Sequence, residues 1–257
     1  MRIISLSVDG IHQAAQRGLY DWLLTQDADI ICLQDLRAQE HELDHDIFHP
    51  EGYFAYFFDS GIKHYNGVAI YTRHQPKALI YGLGFSSGVD MEGRYLQIDF
   101  EHYSVGSLMA PQAFNENESL EVKSKFFEDY QNLLHKVTRK RRHYIVCGNW
   151  AMAHTKKDVE NWQDNIGRAG FLGNEQQWMN QLFKQLGYAD AFRQIVSDPG
   201  EFSWVPEEGK GMRIDYQVIS GRLSRKVENA ALYKTKKFSS HRPLIVDYDI
   251  DDLAPSF

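Results

Sequence analysis

Cysteine is scarce in this chain: two residues in 257, Cys32 and Cys147. That excludes a disulfide framework as the source of its stability. Each thiol sits inside an apolar run, Ile30-Ile31-Cys32-Leu33 and Ile145-Val146-Cys147, the setting of small buried thiols in a reducing compartment. A cytoplasmic location is expected. No segment approaches the roughly 18 consecutive apolar residues of a helical membrane span. The chain begins directly on the strand pattern Arg2-Ile3-Ile4-Ser5-Leu6, so a soluble, unprocessed protein is expected. Positive charge is in deficit too, 28 Lys and Arg against 35 Asp and Glu, for a formal net charge of -7. A whole-surface electrostatic grip on nucleic acid is thereby disfavoured, and any polyanion contact must be local.

What is present suits one sizeable domain spanning 1–257: 43% apolar and 25% charged residues, with no internal repeat, low-complexity linker or break in composition. Strand-like runs recur at Ile3–Val8, Ile30–Leu33, Gly67–Tyr71, Tyr95–Phe100, Val105–Met109, Tyr144–Cys147, Ile214–Ile219, Ala230–Tyr233 and Leu244–Tyr248. Helical spacing marks Gln13–Gln26, Leu120–Arg139 and Glu175–Leu186, the last stopped by Gly187. Strands outnumber helices and short turns join many of them. The spacing therefore predicts an α/β fold of two packed, mixed, largely antiparallel sheets flanked by helices, rather than a doubly wound sheet.

Four polar residues fall at strand ends, where α/β sheets build their sites. Asp35 closes Ile30–Gln34, Asn149 closes Tyr144–Gly148, Asp215 opens a strand, and His241 precedes Arg242-Pro243-Leu244. Each is weak alone, and a turn-forming role explains a lone Asp as well. Their order strengthens the signal. Asn149 is the odd member, because an amide can neither take a proton from water nor act as a strong ligand for a hard cation. The stretch His41-Glu42-Leu43-Asp44-His45 matches the zinc-protease pattern H-E-x-x-H by letter, but it lies among further acids with Pro50 close behind and reads as a solvated loop. Bases concentrate in Arg139-Lys140-Arg141-Arg142, in Lys156-Lys157 and between Arg222 and Lys237. Four adjacent cations repel one another, which a phosphate chain or an acidic surface would relieve. With Trp162 as a stacking surface, Arg139 to Arg142, Lys156 and Lys157 form the expected RNA- or partner-binding set. Trp178 and Trp204 read as core or structural residues.

In order along the chain, Arg2 to Gly10, Cys32-Leu33-Gln34-Asp35, Gly67 to Tyr71, Gly93-Arg94, Gly148-Asn149, Phe202-Ser203-Trp204, Arg213-Ile214-Asp215 and Ser240 to Leu244 resemble exonuclease III and its abasic-site endonuclease relatives. The resemblance implies a four-layer sandwich and Mg²⁺-dependent cleavage of DNA. Against that pattern, Ser7 stands for a site asparagine, Asp35 for a metal-binding glutamate and Met109 for a tyrosine. Asn149 and Ala151 replace the water-orienting aspartate and its supporting asparagine, and Ser240 replaces the aspartate beside the histidine. Ser7, Asp35, Met109, Asn149, Ala151, Asp215, Ser240 and His241 would then form a vestigial site, with no metal bound. Loss of the general base alone costs on the order of 10²–10⁴ in rate.

A finer resemblance, to the catabolite repression control proteins of that family, runs through Arg141 to Gly148, Ala153-His154, Asp158 to Trp162, Gly170 to Leu172, Leu186 to Ala191, Asp215 to Val218 and Pro243 to Asp249. It implies a non-enzymatic, post-transcriptional regulator that acts with the RNA chaperone Hfq on A-rich mRNA to repress catabolic genes. The rival expectation is a working DNA-repair nuclease that uses Asp35, Asp215 and His241, with Mg²⁺ held by Asp35. The oligomeric state stays open, a homodimer included.

Overall fold

The computed structural model describes residues 1–113, 119–140, 142–207 and 210–250. Two six-stranded sheets lie face to face. The first runs, edge to edge, β11 (Val227–Leu232), β12 (Leu244–Tyr248), β1 (Arg2–Ser7), β2 (Ile30–Gln34), β4 (Val68–Thr72) and β3 (Phe54–Phe58). The second runs β5 (Ala78–Tyr81), β6 (Tyr95–Asp99), β7 (Tyr103–Met109), β8 (His143–Asn149), β10 (Asp215–Ser220) and β9 (Tyr188–Asp190). Each sheet has a central parallel pair, β1 with β2 and β7 with β8, and antiparallel neighbours on either side. The expected mixed, largely antiparallel sandwich is the observed fold.

Period-two alternation sorts the strands into layers. Ile3, Ile30, Cys32, Ile145 and Cys147 face the space between the sheets, and both thiols are buried there without a disulfide. The intervening Ile4, Ile31 and Leu33 face outward onto α1 (Ile11–Gln16) and α2 (Leu19–Leu24). On the other side, Val146, Tyr216 and Val218 pack under Phe126, Tyr130 and Leu134 of α3 (Leu120–Val137) and Trp178 and Leu182 of α4 (Gly173–Lys184). The Ser119 hydroxyl caps α3 by accepting from the Val122 amide (3.1 Å), and His135 and Lys136 sit in its last turn, where cations suit the helix dipole.

The continuous helix expected over Gln13–Gln26 is two helices. Gly18 adopts φ 80°, ψ 33° between them, a left-handed conformation that breaks the helical path. Strands β3, β5 and β9 and the short α5 (Ala191–Ile195) lacked a clear sequence signal, because all three strands are sheet edges, β3 and β5 with little alternation and β9 with three residues.

Polar side chains pin one sheet to the other. Gln34 of β2 donates to the Ser107 hydroxyl on β7 (2.8 Å), while Gln217 of β10 donates to the Ile3 carbonyl (3.1 Å) and accepts from Tyr248 (2.8 Å). A second buried network ties the segment after β8 to β9 and β10. Arg213 donates to Asp158 (2.7 Å) and Asp190 (2.7 Å), and Arg193 donates to Asp158 (2.6 Å). Burial by itself would raise the Asp158 carboxyl, but the Arg213 charge and the hydrogen bonds from Arg213 and Arg193 hold it well below the usual carboxylate range. Its folded pKa thus lies below the unfolded value of about 3.9, so its contribution is complete above that pH and is lost only as pH falls through the depressed folded value. Asp158→Ala should cost about 3–5 kcal/mol in urea unfolding at neutral pH, because buried Arg213 loses one of its two carboxylate partners and Arg193 loses its ion pair. A loss under about 1 kcal/mol would mean that the network behaves like an exposed ion pair.

Candidate phosphodiester site

Strand register assembles the site. Asp215 pairs opposite Asn149 in the antiparallel β8–β10 ladder, and Leu244 pairs opposite Ser5 in β1–β12. The starts of β10 and β12 therefore meet the ends of β1, β2 and β8 at one edge of the sandwich. Glycine is obligatory at 148: its φ is 148°, and a Cβ there would come within 2.0 Å of the Leu108 carbonyl oxygen. This close approach sets Asn149 beside Met109 on the parallel neighbour β7.

Four non-glycine residues around this edge have positive φ: Asp9 (52°), Asp35 (57°), Arg37 (51°) and Ala151 (55°). Left-handed backbone costs such residues on the order of 1–3 kcal/mol each and tends to collect at functional sites. Here it is held by backbone bonds. Gly10 donates to the Asp35 carbonyl (2.9 Å), Ile11 to Leu36 (2.9 Å) and Arg37 to Asn66 (2.8 Å), so the pairing of β2 with β1 and with β4 continues past the strands.

A cavity of about 650 Å³ opens at this edge. His241 and Asn149 line its inner wall, and Arg17, Arg37 and Lys237 also line it. The Nδ1 of His241 lies 2.7 Å from Asp215 Oδ2, and the same oxygen accepts from the Ser203 hydroxyl (2.6 Å). Burial works against a charged His241 ring, yet the Asp215 charge and hydrogen bond, with Asp9 and Asp35 beyond, hold its pKa above the ordinary value. Asn149 Oδ1 accepts from the Ala151 amide (2.9 Å). Ser7 Oγ, Asn149 Nδ2 and Asp215 Oδ1 are buried with no hydrogen-bond partner among the described residues. Such unpaired polar atoms are costly unless something else occupies them.

Asp35 is 4% exposed and is gripped by its neighbour two residues on: Arg37 Nη2 donates to Oδ2 (2.6 Å) and Nε to Oδ1 (3.1 Å). Arg37 Nη2 also stands 3.7 Å from Asp9 Oδ1. Burial pushes the Asp35 carboxyl up, and Arg37 offsets part of that shift. Asp9 Oδ2 accepts from the Ser240 amide (2.7 Å). A magnesium ion, which the resemblance implies, does not fit this arrangement. Both Asp35 oxygens are taken by the guanidinium, and among the described residues no group of three or more His, Cys, Asp or Glu side chains is disposed to hold a metal.

The expected site residues divide into groups. Ser7, Asp35, Asn149, Ala151, Asp215, Ser240 and His241 do converge at this edge, whereas the Met109 side chain joins the core between the sheets. Asp9, Arg17, Arg37 and Lys237 went unassigned from sequence, although Asp9-Gly10 beyond a strand was a readable turn signal. Trp204, expected to be structural, lines the cavity with its ring centroid 6.4 Å from that of His241.

The expected RNA- or partner-binding set is split. Arg139 and Lys140 are exposed before β8, and Arg141 lies outside the described residues. Arg142 is spent on the Phe100 (2.6 Å) and Tyr103 (3.2 Å) carbonyls. Lys156, Lys157 and Trp162 come after the opposite end of β8 from Arg142. There Lys156 Nζ rests 3.8 Å from the Trp162 ring centroid and Lys157 donates to the Ser197 carbonyl (3.1 Å). His41 and His45 are exposed on short turns rather than on a helix.

This two-sheet sandwich, with a polar site at one shared strand edge, is of the exonuclease III and DNase I-like class. The chain belongs to the endonuclease/exonuclease/phosphatase family, whose model matches residues 9–233. It is 29% identical over 252 residues to an exodeoxyribonuclease of Bacillus subtilis, covering 95% of this chain and 98% of that one. It is 27% identical over 263 residues to a DNA-(apurinic or apyrimidinic site) endonuclease of Dictyostelium discoideum, covering 98% and 71%. An AP endonuclease structure from Archaeoglobus fulgidus superposes with a TM-score of 0.86 at 22% identity, covering 97% of this chain and all of that one. These relatives correct the expectation of a non-enzymatic, Hfq-linked regulator of A-rich mRNA. Proteins matched along nearly the whole chain are named as nucleases, and the family resemblance alone carried the regulatory reading. No helix among the described residues is long and apolar enough to cross a membrane.

Because the folded pKa of His241 is raised, its bond to Asp215 contributes fully below the unfolded value of about 6.5 and is lost as pH rises through the folded value. An NMR titration of the His241 ring should give a midpoint above that of a free histidine, and Asp215→Asn should lower it. A midpoint at or below the ordinary value would contradict the pairing.

Proposed function

We propose that this chain is a DNA phosphodiesterase of the exonuclease III type, acting at abasic sites or strand ends. The observation that carries the reading is the buried His241–Asp215 pair beside Asn149 in a cavity that also presents three cationic side chains. The nuclease names of the relatives support the substrate class.

Arg17, Arg37 and Lys237 attract the phosphate backbone to an otherwise acidic protein. Asp215 holds one ring nitrogen of His241 and leaves the other for substrate. In its charged form the ring donates to a non-bridging phosphate oxygen, where negative charge grows in the transition state. Asn149 takes a different part from an aspartate. Its Oδ1 is engaged by Ala151, so its unpartnered Nδ2 is available to donate to a phosphate oxygen or to hold the attacking water. It cannot accept the proton that water must lose, and solvent has to take it. Turnover is therefore slow relative to a site with a carboxylate there, by a factor on the order of 10²–10⁴.

A duplex carrying one abasic site, incubated with Mg²⁺, Mn²⁺ or a chelator, tests this. Incision is expected in the unmodified protein, with at least about a tenfold loss in His241→Ala and a gain of about 10²–10⁴ in Asn149→Asp. No incision by any of the three proteins would overturn the proposal.

A further inference from the structure

We infer that Arg37 is the resident cation of this site: its guanidinium fills the space between Asp9 and Asp35 that a divalent ion would otherwise need, and contacts the substrate phosphate directly. The inference deepens the phosphodiester reading and rests on it for the class of ligand.

Three observations carry it. First, the contact is a two-bond fork: Nε and Nη2 meet the two oxygens of Asp35 at 3.1 and 2.6 Å, and Nη2 also faces Asp9 at 3.7 Å. An arginine fork matches a carboxylate in this way and a lysine ammonium does not. Second, the fork is built in by the backbone. Asp35 and Arg37 both have positive φ, and the Leu36 and Arg37 amides donate hydrogen bonds to the Gly67 (3.1 Å) and Asn66 (2.8 Å) carbonyls, fixing the turn that folds the side chain back. Third, the guanidinium stands between a buried carboxylate and open space: the Asp35 side chain is 6% exposed, while Arg37 is 46% exposed and lines the cavity. Its remaining donors are thus placed to meet an anion from the cavity side.

The consequence is a site whose positive charge is covalently part of the chain. A divalent ion can reach Asp35 only by displacing a bidentate ion pair, whereas a phosphate can be bound with a chelator present.

Two binding measurements on the full chain test this without recourse to turnover. In a Mn²⁺ titration followed by electron paramagnetic resonance, the unmodified protein should leave the free-ion signal unchanged at this site. Arg37→Gln should remove signal equivalent to about one ion per chain, and adding Asp35→Asn should restore it. In a phosphorus NMR titration with inorganic phosphate plus chelator, the unmodified protein should broaden the line. Arg37→Gln should lose that effect, and Arg37→Lys should keep only part of it. Thermal melts establish that each variant is folded, and Arg37→Lys supplies the comparison if Arg37→Gln is not. Saturable Mn²⁺ uptake by the unmodified protein that Asp35→Asn abolishes would overturn the inference. So would an Arg37→Gln protein that gains no Mn²⁺, or phosphate binding indifferent to Arg37. Failure of the abasic-site assay alone would count against the proposed reaction and leave these binding results standing.

Discussion

Strand register at the edge of the sandwich is the constraint on which the rest of this molecule depends. β10 runs antiparallel to β8 with Asp215 opposite Asn149, and β12 runs antiparallel to β1 with Leu244 opposite Ser5. A slip of one residue in either ladder would turn its side chains to the opposite face. His241 and Asp215 would then part, and Asn149 would leave the cavity. Gly148 resists such a slip, because its backbone lies against the Leu108 carbonyl where no Cβ fits. Gln34 and Gln217 extend the constraint across the layers by bonding one sheet to the other.

Within that frame, charge is balanced differently on the two sides of the cavity. Asp215 holds His241 toward its charged form, so that side offers a buried positive donor whose strength depends on pH. On the other side Asp9 and Asp35 meet a guanidinium whose charge is fixed at any physiological pH. Asn149 lies between them as a neutral residue with one unsatisfied donor. The arrangement suits holding a phosphate and bearing developing negative charge. For the proposed reaction, the amide at 149 cannot take a proton from water.

Much of the fold was legible because burial on both faces of the central strands writes itself into apolar runs such as Ile30–Leu33 and Tyr144–Cys147. The edge strands β3 and β5 were not legible, since solvent on one side relaxes the pattern. Gly18 splits an otherwise regular helical spacing through its left-handed backbone. The site was half legible. Asp35, Asn149, Asp215 and His241 each close or open a strand, while Arg37 and Arg17 look like ordinary surface cations until the chain is folded. The regulatory reading failed for a different reason. It rested on a family resemblance alone, and relatives matched along nearly the whole chain are named as nucleases.

By itself the sequence determined the layers of this protein, the strand ends that carry its polar residues and the presence of an amide at 149, since periodicity and residue chemistry are local properties. Only the tertiary structure decided that Arg37 is folded back onto Asp35, that Trp204 walls the cavity and that Lys156 lies on Trp162 instead of beside Arg139. Those outcomes depend on left-handed turns and on pairing between segments as distant as Arg2 and Asp247, and no linear pattern encodes which side chain will stand in front of which.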